Sequence, residues 1–428
     1  MTIKEFEKEQ AKLLKNAEVR EAWLEYLSRF PHVSLYYRNA RQYENQISVV
    51  NGKKAGTDIN LYKLFTEQCY NLLRPGGACG IVIPSGIYTD LGAKQLRELL
   101  FSRARINRLF GLSNERFLFE GVDHRFKICL LTFEKGGATE RFDAAFRINP
   151  REAVRQEELD YFLNTPDNWV NISVDFIRRQ SPESLSVMEI REAVDFRIAE
   201  KMLRIPALGE DIDGSFSFKL TREFDMTNDS HLFKTEHGKG RLPLYEGKMI
   251  HQFVHDFATP RYWVEEAEGR SSVLKKESDS GQMLDYQEFR LGLRAIARST
   301  DERTIICGPV PPNVYCGISV LVSKESKQFS SLDKLYVMAI LNSFCADYYA
   351  RGMVSANINM FYINQIPVPR LSPESQLYRP IVTRAARLIC TAPEFAALWQ
   401  EVMGTAWAPA SGATDEADRL RLRSELDG

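Results

Sequence analysis

The segment LYKLFTEQCYNLLRPGGACGIVIP, residues 61–84, constrains the fold of this chain more than any other part of its sequence. Leucine, phenylalanine and cysteine recur at three- and four-residue spacing up to Leu72, which predicts a helix with one apolar face. Proline and two glycines then end the helix, since proline cannot continue it and glycine tolerates a reversed backbone. The apolar run ACGIVIP, residues 78–84, is typical of a strand covered on both faces of an α/β sheet.

The same alternation of helix and strand continues beyond this segment. The sequence predicts a helix over 90–101, a strand over 105–111 and a further strand in RFKICLLTFEKGG, which closes on a glycine pair. Before residue 58 it predicts one helix, over 3–29, followed by a polar and aromatic stretch. A buried type of strand so soon after a single helix predicts a sheet that this chain completes only in part.

The pattern of predicted elements changes near residue 150, where short strands and long polar, aromatic stretches replace the alternation of helix and strand. The predicted organisation is a first domain over 1–149, a connecting region over 150–200, a second domain over 201–370, and C-terminal helices with a linker over 371–428. The predicted fold class is α/β for the first domain and α+β for the second.

The charge composition excludes a strongly basic protein, because 56 Lys and Arg residues oppose 57 Asp and Glu residues, for a net charge of −1. Any binding of nucleic acid then depends on local clusters of cations. The seven cysteines include no C-x-x-C pair and the N-terminus has no apolar signal core, so a cytoplasmic location is expected. No apolar run is long enough to cross a membrane.

Taken in order, four segments resemble the late half of an S-adenosyl-L-methionine-dependent methyltransferase sheet: DINLYKLFTEQCYNLLRPGG, GIVIPSGIYTD, LRELL and FLFEGVDHRFKICLLTFEKGG. The series is most similar to adenine-N6 DNA methyltransferases of the gamma arrangement, especially those fused into type IIG restriction–modification enzymes. Later segments resemble that family's target-recognition region: LPLYEGKMIHQF, LRAIARSTDERTIICGPVPP and NINMFYINQIPVPRL. The resemblance implies a partial Rossmann-like methyltransferase sheet, with late strands only, followed by an α+β target-recognition domain over 201–370.

Two motifs of that family do not occur in the sequence. No strand is followed by the Gly-containing loop that holds the cofactor, and no Asn/Asp-Pro-Pro-aromatic tetrapeptide is present to hold the target adenine. VPPN at 310–313 lacks both the leading polar residue and the trailing aromatic. We therefore expect no catalytic residue in this chain and no binding of S-adenosyl-L-methionine by the chain alone. The motifs are expected upstream of Met1, on a complementing chain.

The resemblance implies two groups of site residues. An aromatic residue before the late strand stacks on the flipped target base in this family; Phe119 is the best match and Phe117 is the alternative. The candidates for contacts to double-stranded DNA are Lys248, Arg261, Arg294, Arg298 and Arg303, with the aromatic neighbours Tyr245, Phe253, Tyr262 and Trp263. Each also has an ordinary explanation, which is core packing for the aromatics and solvation or ion pairing for the cations.

The two histidines of HQFVH, residues 251–255, have the spacing of a zinc site, but glutamine stands where a zinc hydrolase needs glutamate. No metal is expected. Three functions stay open: a segment of a site-specific DNA adenine-N6 methyltransferase that is inactive alone, a non-catalytic DNA-binding specificity module, and a truncated remnant. The open edge of the strand at 78–84 favours aggregation or pairing with another chain.

Overall fold

The protein is described by a computed structural model over residues 3–50, 52–54, 58–114, 119–123, 126–147, 156–275, 277–297, 301–354 and 357–428. Contacts between Cα atoms divide the chain into two compact units, the first ending at Val187 and the second beginning at Met188. Each unit mixes helices with strands, and the strands form several separate sheets, so the predicted mixed α/β class is confirmed. The functional assignment of the four predicted ranges remains a prediction.

The first unit alternates helices and strands along its described residues. Its elements are α1 (Ile3–Leu13), α2 (Ala17–Asn39), β1 (Val49–Val50), β2 (Lys53–Lys54), α3 (Leu61–Leu72), β3 (Ala78–Pro84), α4 (Gly86–Thr89), α5 (Lys94–Arg103), β4 (Ala104–Ser113), β5 (Lys127–Lys135), β6 (Arg141–Arg147), α6 (Gln156–Asn164), β7 (Val170–Ser173) and α7 (Val174–Gln180).

The main sheet of the first unit has five strands in the order β3-β5-β4-β6-β7. Strand β5 is antiparallel to both of its neighbours, so β3 and β4 run parallel to each other with β5 between them. Strands β4 and β6 are parallel, and β6 and β7 are antiparallel. Strand β3 forms one edge, and no other strand of the described part of the chain pairs with its outer side. The open edge that the sequence predicts is therefore present.

The packed centre of this sheet lies around β4 and β6. Phe110 and Leu112 of β4 are buried with Ala145 of β6, and apolar side chains of α6 and the following turn pack against them. Helix α5 buries Leu96 and Leu100 in the same unit. Each fully buried side chain of this size contributes roughly 1.5–3 kcal/mol relative to an exposed one. The stabilising contacts thus concentrate away from the β3 edge.

Strand β3 is much more exposed than its sequence predicts. Of its seven residues only Ile83 is buried. Val82 is 51% exposed and lies directly opposite Leu130 of β5, which is also exposed. The prediction of a strand covered on both faces is therefore wrong for this chain, because neither a further strand nor a covering element lies over the Val82 side within the described residues.

Helix α3 leaves most of its apolar face exposed, although Leu64 is buried. Leu61, Phe65 and Leu72 are exposed by 71%, 58% and 76%, whereas Lys63 and Glu67 are among its buried residues. In the usual surface helix the whole apolar stripe faces the core. The three- and four-residue spacing correctly predicts a helix, but only Leu64 of its leucines and phenylalanine is buried within the described residues.

The buried face of α3 combines the packed Leu64 with hydrogen-bonded polar side chains. The Lys63 ammonium donates to three backbone carbonyls, among them that of Asp58 at 2.6 Å, and burial lowers the pKa of the lysine. The Glu67 carboxylate accepts from the backbone and side-chain nitrogens of Asn45, at 2.9 and 2.7 Å, and from Gln46 at 2.6 Å. Because these polar groups are paired, their burial does not oppose folding strongly.

The second unit contains two small sheets and the described helices that follow Met188. Its elements are α8 (Ala193–Met202), β8 (Leu220–Thr221), β9 (Phe233–Lys234), β10 (Arg241–Tyr245), β11 (Tyr262–Glu265), α9 (Glu266–Leu274), β12 (Arg290–Arg294), β13 (Cys307–Val310), β14 (Tyr315–Cys316), β15 (Val320–Ser323), α10 (Ser331–Leu341), α11 (Phe344–Arg351), α12 (Met360–Asn364), α13 (Tyr378–Ile389), α14 (Ala396–Met403) and α15 (Glu416–Asp427).

The two four-stranded sheets of this unit have the orders β14-β10-β11-β9 and β13-β12-β15-β8. A buried ion pair connects them: the Arg290 guanidinium on β12 donates to the Glu223 carboxylate and to the Val314 carbonyl. The same carboxylate accepts the backbone N–H of Cys316 on β14 at 2.8 Å. The pair therefore fixes one sheet against the other within the core of the unit.

Candidate functional site

A small apolar pocket lies at the carboxyl end of β3, in the first unit. Its volume is about 170 Å³, and Phe119 forms part of its wall. The Phe119 side chain is 43% exposed, so a planar ligand can reach it. The lining residues are Val82, Ile83, Pro84, Phe119, Val122, Phe126, Lys127 and Ile128.

The turn that carries Phe119 is held by one buried amide. Asn114, fully buried at the end of β4, accepts a hydrogen bond from the Phe119 N–H at 3.0 Å. Its side-chain nitrogen donates to the carbonyls of Phe119 and Val122, at 3.3 and 3.0 Å. The Asn114 backbone N–H donates to the Phe126 carbonyl at 2.9 Å. One side chain thus fixes the turn on both sides of Phe119.

The described lining of this pocket favours contact with an aromatic ring. It is apolar apart from Lys127, which is itself mostly buried. The Lys127 amine is the one ionisable group of the described lining. The alternative candidate, Phe117, lies outside the described residues.

In the second unit, two of the predicted DNA-binding cations lie side by side. Lys248 and Arg261 both point at the carboxylate of Glu246, at 3.4 and 3.7 Å. More than half of each cationic side chain is exposed. Glu246 is only 18% exposed, so a phosphate that binds either cation competes with a largely buried carboxylate.

Arg294 lies near this pair but is more firmly anchored. Its Nε donates to the Ile250 carbonyl at 2.8 Å, and its Cγ lies next to Gly247, the residue between Glu246 and Lys248. Burial lowers the pKa of Arg294, and the nearby Asp301 opposes that shift. The structure therefore brings Lys248, Arg261 and Arg294 together around one loop.

The remaining candidates behave differently. The guanidinium carbon of Arg303 lies 3.9 Å from the ring centre of Phe344 in α11, and Arg298 lies outside the described residues. Tyr245 and Phe253 are buried in the core, so burial removes both from the aromatics available to DNA. Tyr262 is covered by Arg261, whose guanidinium carbon is 4.4 Å from its ring centre.

The two histidines of HQFVH lie in separate environments. His251 stacks on Phe257, with ring centres 4.7 Å apart, while His255 Nε2 is 2.8 Å from a Glu394 carboxylate oxygen. No group of three His, Cys, Asp or Glu side chains within the described ranges is placed to hold one metal ion. None of the described helices combines the length and the apolar character needed to cross a membrane.

Sequence reasoning missed two residues, Asn114 and Phe257, and considered His251 only as a possible metal ligand. Asn114 is a single asparagine in a polar stretch, and only the fold shows that it spans the Phe119 turn. Phe257 is surrounded in sequence by polar and small residues, which indicates a loop. That pattern alone does not distinguish an exposed ring from a buried one.

Comparison with known proteins connects the first unit to one family. Residues 34–119 match the profile of the family described as Eco57I restriction-modification methylase. This range contains α3, β3 and Phe119, and it confirms the resemblance to restriction–modification methylases that the sequence predicts. No curated protein sequence matches this chain significantly.

Several solved structures resemble the chain at low sequence identity. The type IIL restriction-modification enzyme MmeI, solved in complex with DNA, is 13% identical over 86% of this chain and 48% of its own, with a TM-score of 0.45. The type IIG restriction endonuclease BpuSI is 14% identical over 88% and 50%, with a TM-score of 0.31. The M protein of the type I restriction enzyme EcoKI is 17% identical over 31% and 40%, with a TM-score of 0.26. This chain spans half or less of the length of each.

Proposed function

We propose that this chain forms part of a site-specific DNA adenine-N6 methyltransferase of a restriction–modification system. It supplies one wall of the target-base pocket and a DNA-recognition surface. A second chain supplies the S-adenosyl-L-methionine loop and the Asn/Asp-Pro-Pro-aromatic motif. The observation that carries the proposal is the match of residues 34–119 to a restriction–modification methylase family. Because such an assembly acts on genomic DNA, we place it in the cytoplasm.

The open apolar surface of the first unit supports the second chain. Strand β3 offers an unpaired edge with Val82 exposed beside it, and α3 exposes Leu61, Phe65 and Leu72. An unpaired strand edge pairs readily with another strand, and large exposed apolar side chains mark interaction surfaces. In this proposal the complementing chain adds a strand beside β3, extends the sheet to a Rossmann-like one, and covers the apolar face of α3.

The pocket at Phe119 is proposed to receive the target base. A methyltransferase that acts on a base inside a duplex must take it out of the stack, and an aromatic wall recovers part of that cost. Phe119 is exposed, its turn is fixed by Asn114, and the neighbouring lining is apolar. These features suit a stacking role.

The described residues around Phe119 do not fit S-adenosyl-L-methionine, which restriction–modification methylases generally use. The sulfonium and amino groups of that cofactor are positive, and Lys127, the one ionisable side chain of the described lining, is also a cation. This chain alone therefore performs no methyl transfer in our proposal. Calorimetry of the isolated chain is expected to find no micromolar binding of the cofactor; such binding would contradict the division between two chains.

The recognition surface is assigned to the second unit, around Lys248, Arg261 and Arg294. Arg303 and Arg298 are kept as further candidates of the target-recognition domain over 201–370. Cations of this kind neutralise phosphates and release counterions, so binding weakens as salt rises, by about 0.9 in the log–log slope for each phosphate contact.

A mobility-shift titration of duplex DNA over a range of salt concentrations tests this assignment. The double variant Lys248→Ala/Arg261→Ala is expected to reduce the salt slope by about 0.9 for each phosphate that the protein no longer neutralises. The matched control Lys239→Ala/Lys327→Ala removes two exposed lysines of the same unit and should leave the slope unchanged. Absence of retardation at low salt, or equal behaviour of the two variants, contradicts a recognition surface at this loop.

A further inference from the structure

Phe257 is an exposed aromatic residue on a partly buried loop. It is 60% exposed, while Met249, Ile250 and Phe253 of the same loop are buried. Its position is fixed, since its backbone N–H donates to the Met249 carbonyl at 2.9 Å. The loop is closed by reciprocal backbone hydrogen bonds between residues 251 and 254, at 2.9 and 3.0 Å. An exposed ring at a fixed position contributes little to the core and is accessible to a ligand.

One face of the Phe257 ring is supported by His251. The two ring centres are 4.7 Å apart and the planes differ by 28°. Burial lowers the pKa of His251, and the nearby Arg294 and Arg423 lower it further, against an opposing effect of Glu302. The imidazole is therefore neutral near neutral pH and provides a flat, uncharged backing for the ring.

One cation, Arg294, lies close to this stacked pair. The guanidinium carbon of Arg294 is 5.8 Å from the Phe257 ring centre. Lys248 directly precedes Met249, whose carbonyl accepts the Phe257 N–H. Arg261 stands four residues after Phe257 in the chain. An aromatic ring in a setting of exposed cations is the arrangement that binds unstacked nucleic-acid bases, with the cations on the phosphates and the ring on the base.

We infer that Phe257 stacks on an unpaired base of DNA bound by Lys248, Arg261 and Arg294. The inference rests on the proposed DNA-recognition surface and adds to it a preference for DNA with an extrahelical base. A paired base is not available to the ring until it leaves the stack, which costs free energy, whereas a bulged base is already displaced. The chain should therefore bind bulged DNA more tightly than the same duplex without the bulge.

The test uses the full chain and two short duplexes of one sequence, one fully paired and one with a single unpaired adenine. In a mobility-shift titration, the wild-type chain should bind the bulged duplex about 5- to 100-fold more tightly, the range expected for stacking of one base on an aromatic ring. Phe257→Ala should abolish the preference, and Phe257→Trp should keep it. Leu377→Ala, at an equally exposed apolar residue of the same unit, is the matched control and should keep it.

Each outcome decides between the two claims. Equal binding of both duplexes by the wild-type chain, or an undiminished preference in Phe257→Ala, overturns the stacking role and leaves the recognition surface intact. Failure to retard either duplex overturns both. Thermal unfolding of Phe257→Ala and Phe257→Trp establishes that the variants are folded, and a preference kept by tryptophan but lost by alanine assigns the effect to the ring.

Discussion

The side chain of Asn114 holds Phe119 from both sides, accepting its N–H at 3.0 Å and donating to its carbonyl at 3.3 Å. The Asn114 side chain, and not the turn alone, therefore sets the orientation of Phe119 in the hairpin between β4 and β5. A buried amide acts as a clamp: without it the Phe119 N–H and the Val122 carbonyl lose the partner that Asn114 provides, whereas the Phe119 carbonyl keeps the Val122 N–H at 3.3 Å. The position of the proposed base-stacking ring depends on a residue that does not touch the base.

Asn114→Ala is expected to loosen the Phe119 turn and to destabilise the first unit by about 1–3 kcal/mol, the usual cost of leaving buried polar groups unpaired. Hydrogen–deuterium exchange should show faster exchange at the Phe119 amide, and urea unfolding should show the loss of stability. Asn114→Asp keeps the acceptor for that amide and should show the smaller exchange effect. Asn164→Ala, at an exposed asparagine of α6, is the control; equal effects at both sites would contradict a clamp.

Val82→Lys is expected to reduce self-association of the isolated chain. Val82 is exposed beside the open edge of β3, and lysine on an edge strand disfavours pairing with another strand. Light scattering at increasing protein concentration should show fewer large species for the variant than for the wild-type chain. Tyr161→Lys, at a 75%-exposed apolar residue of α6, controls for added charge, and an equal gain there would exclude the β3 edge as the cause.

The lowered pKa of His251 is expected to make the folded chain less stable as the pH falls. Its pKa is lowered from the ordinary value of 6.5 in the folded chain by burial and by Arg294 and Arg423, so the unfolded state binds the proton first as the pH falls. Between about pH 7.5 and about pH 5.5 the free energy of unfolding therefore falls more for the wild-type chain than for His251→Gln. Urea unfolding at the two pH values measures these free energies. His231→Gln, at an exposed histidine, is the control and should lose as much stability as the wild-type chain. An equal loss in His251→Gln would contradict the role of His251.

Glu223→Gln is expected to destabilise the second unit by about 3–5 kcal/mol, because it leaves the fully buried Arg290 charge without its partner. Replacement of both residues by methionine should cost less than this single change, since no buried charge then remains. The control is Glu265→Gln, which breaks the partly exposed pair with Arg241 and should cost about 0–1 kcal/mol. Equal midpoints for the two single variants in urea unfolding would contradict a structural role for the buried pair.

The sequence predicts the elements of the first unit better than their surroundings. The helix predicted over 3–29 is two helices, α1 and α2, because Asn16 accepts the N–H of Glu18 at 2.9 Å and begins the second. The periodicity of α3 correctly predicts a helix, but it does not show that Lys63 and Glu67 find their hydrogen-bond partners inside while Leu61, Phe65 and Leu72 stay exposed. Spacing encodes which residues share a face, and tertiary hydrogen bonding decides which face is buried.

In the candidate sites, too, the sequence identifies residues but not the tertiary contacts that position them. Phe119 follows from its place before a late strand, but its clamp by Asn114 depends on contacts across a hairpin that the sequence does not encode locally. Lys248 and Arg261 are 13 positions apart and converge on Glu246 only because the loop between them folds back onto β10 and β11. Long-range contacts of this kind are invisible to periodicity and turn signals.

The position of β5 between β3 and β4 also sets the order in which the sheet can form. Residues of β3 pair with β5 at sequence separations from 44, between Pro84 and Ile128, to 56, between Ala78 and Glu134. During synthesis β3 leaves the ribosome well before β5, its only strand partner among the described residues. The apolar run ACGIVIP therefore remains unpaired until β4 and then β5 have been synthesised. Closing such a long loop slows folding. The nascent chain therefore passes through an interval in which chaperone capture or early pairing with another polypeptide competes with completion of its own sheet.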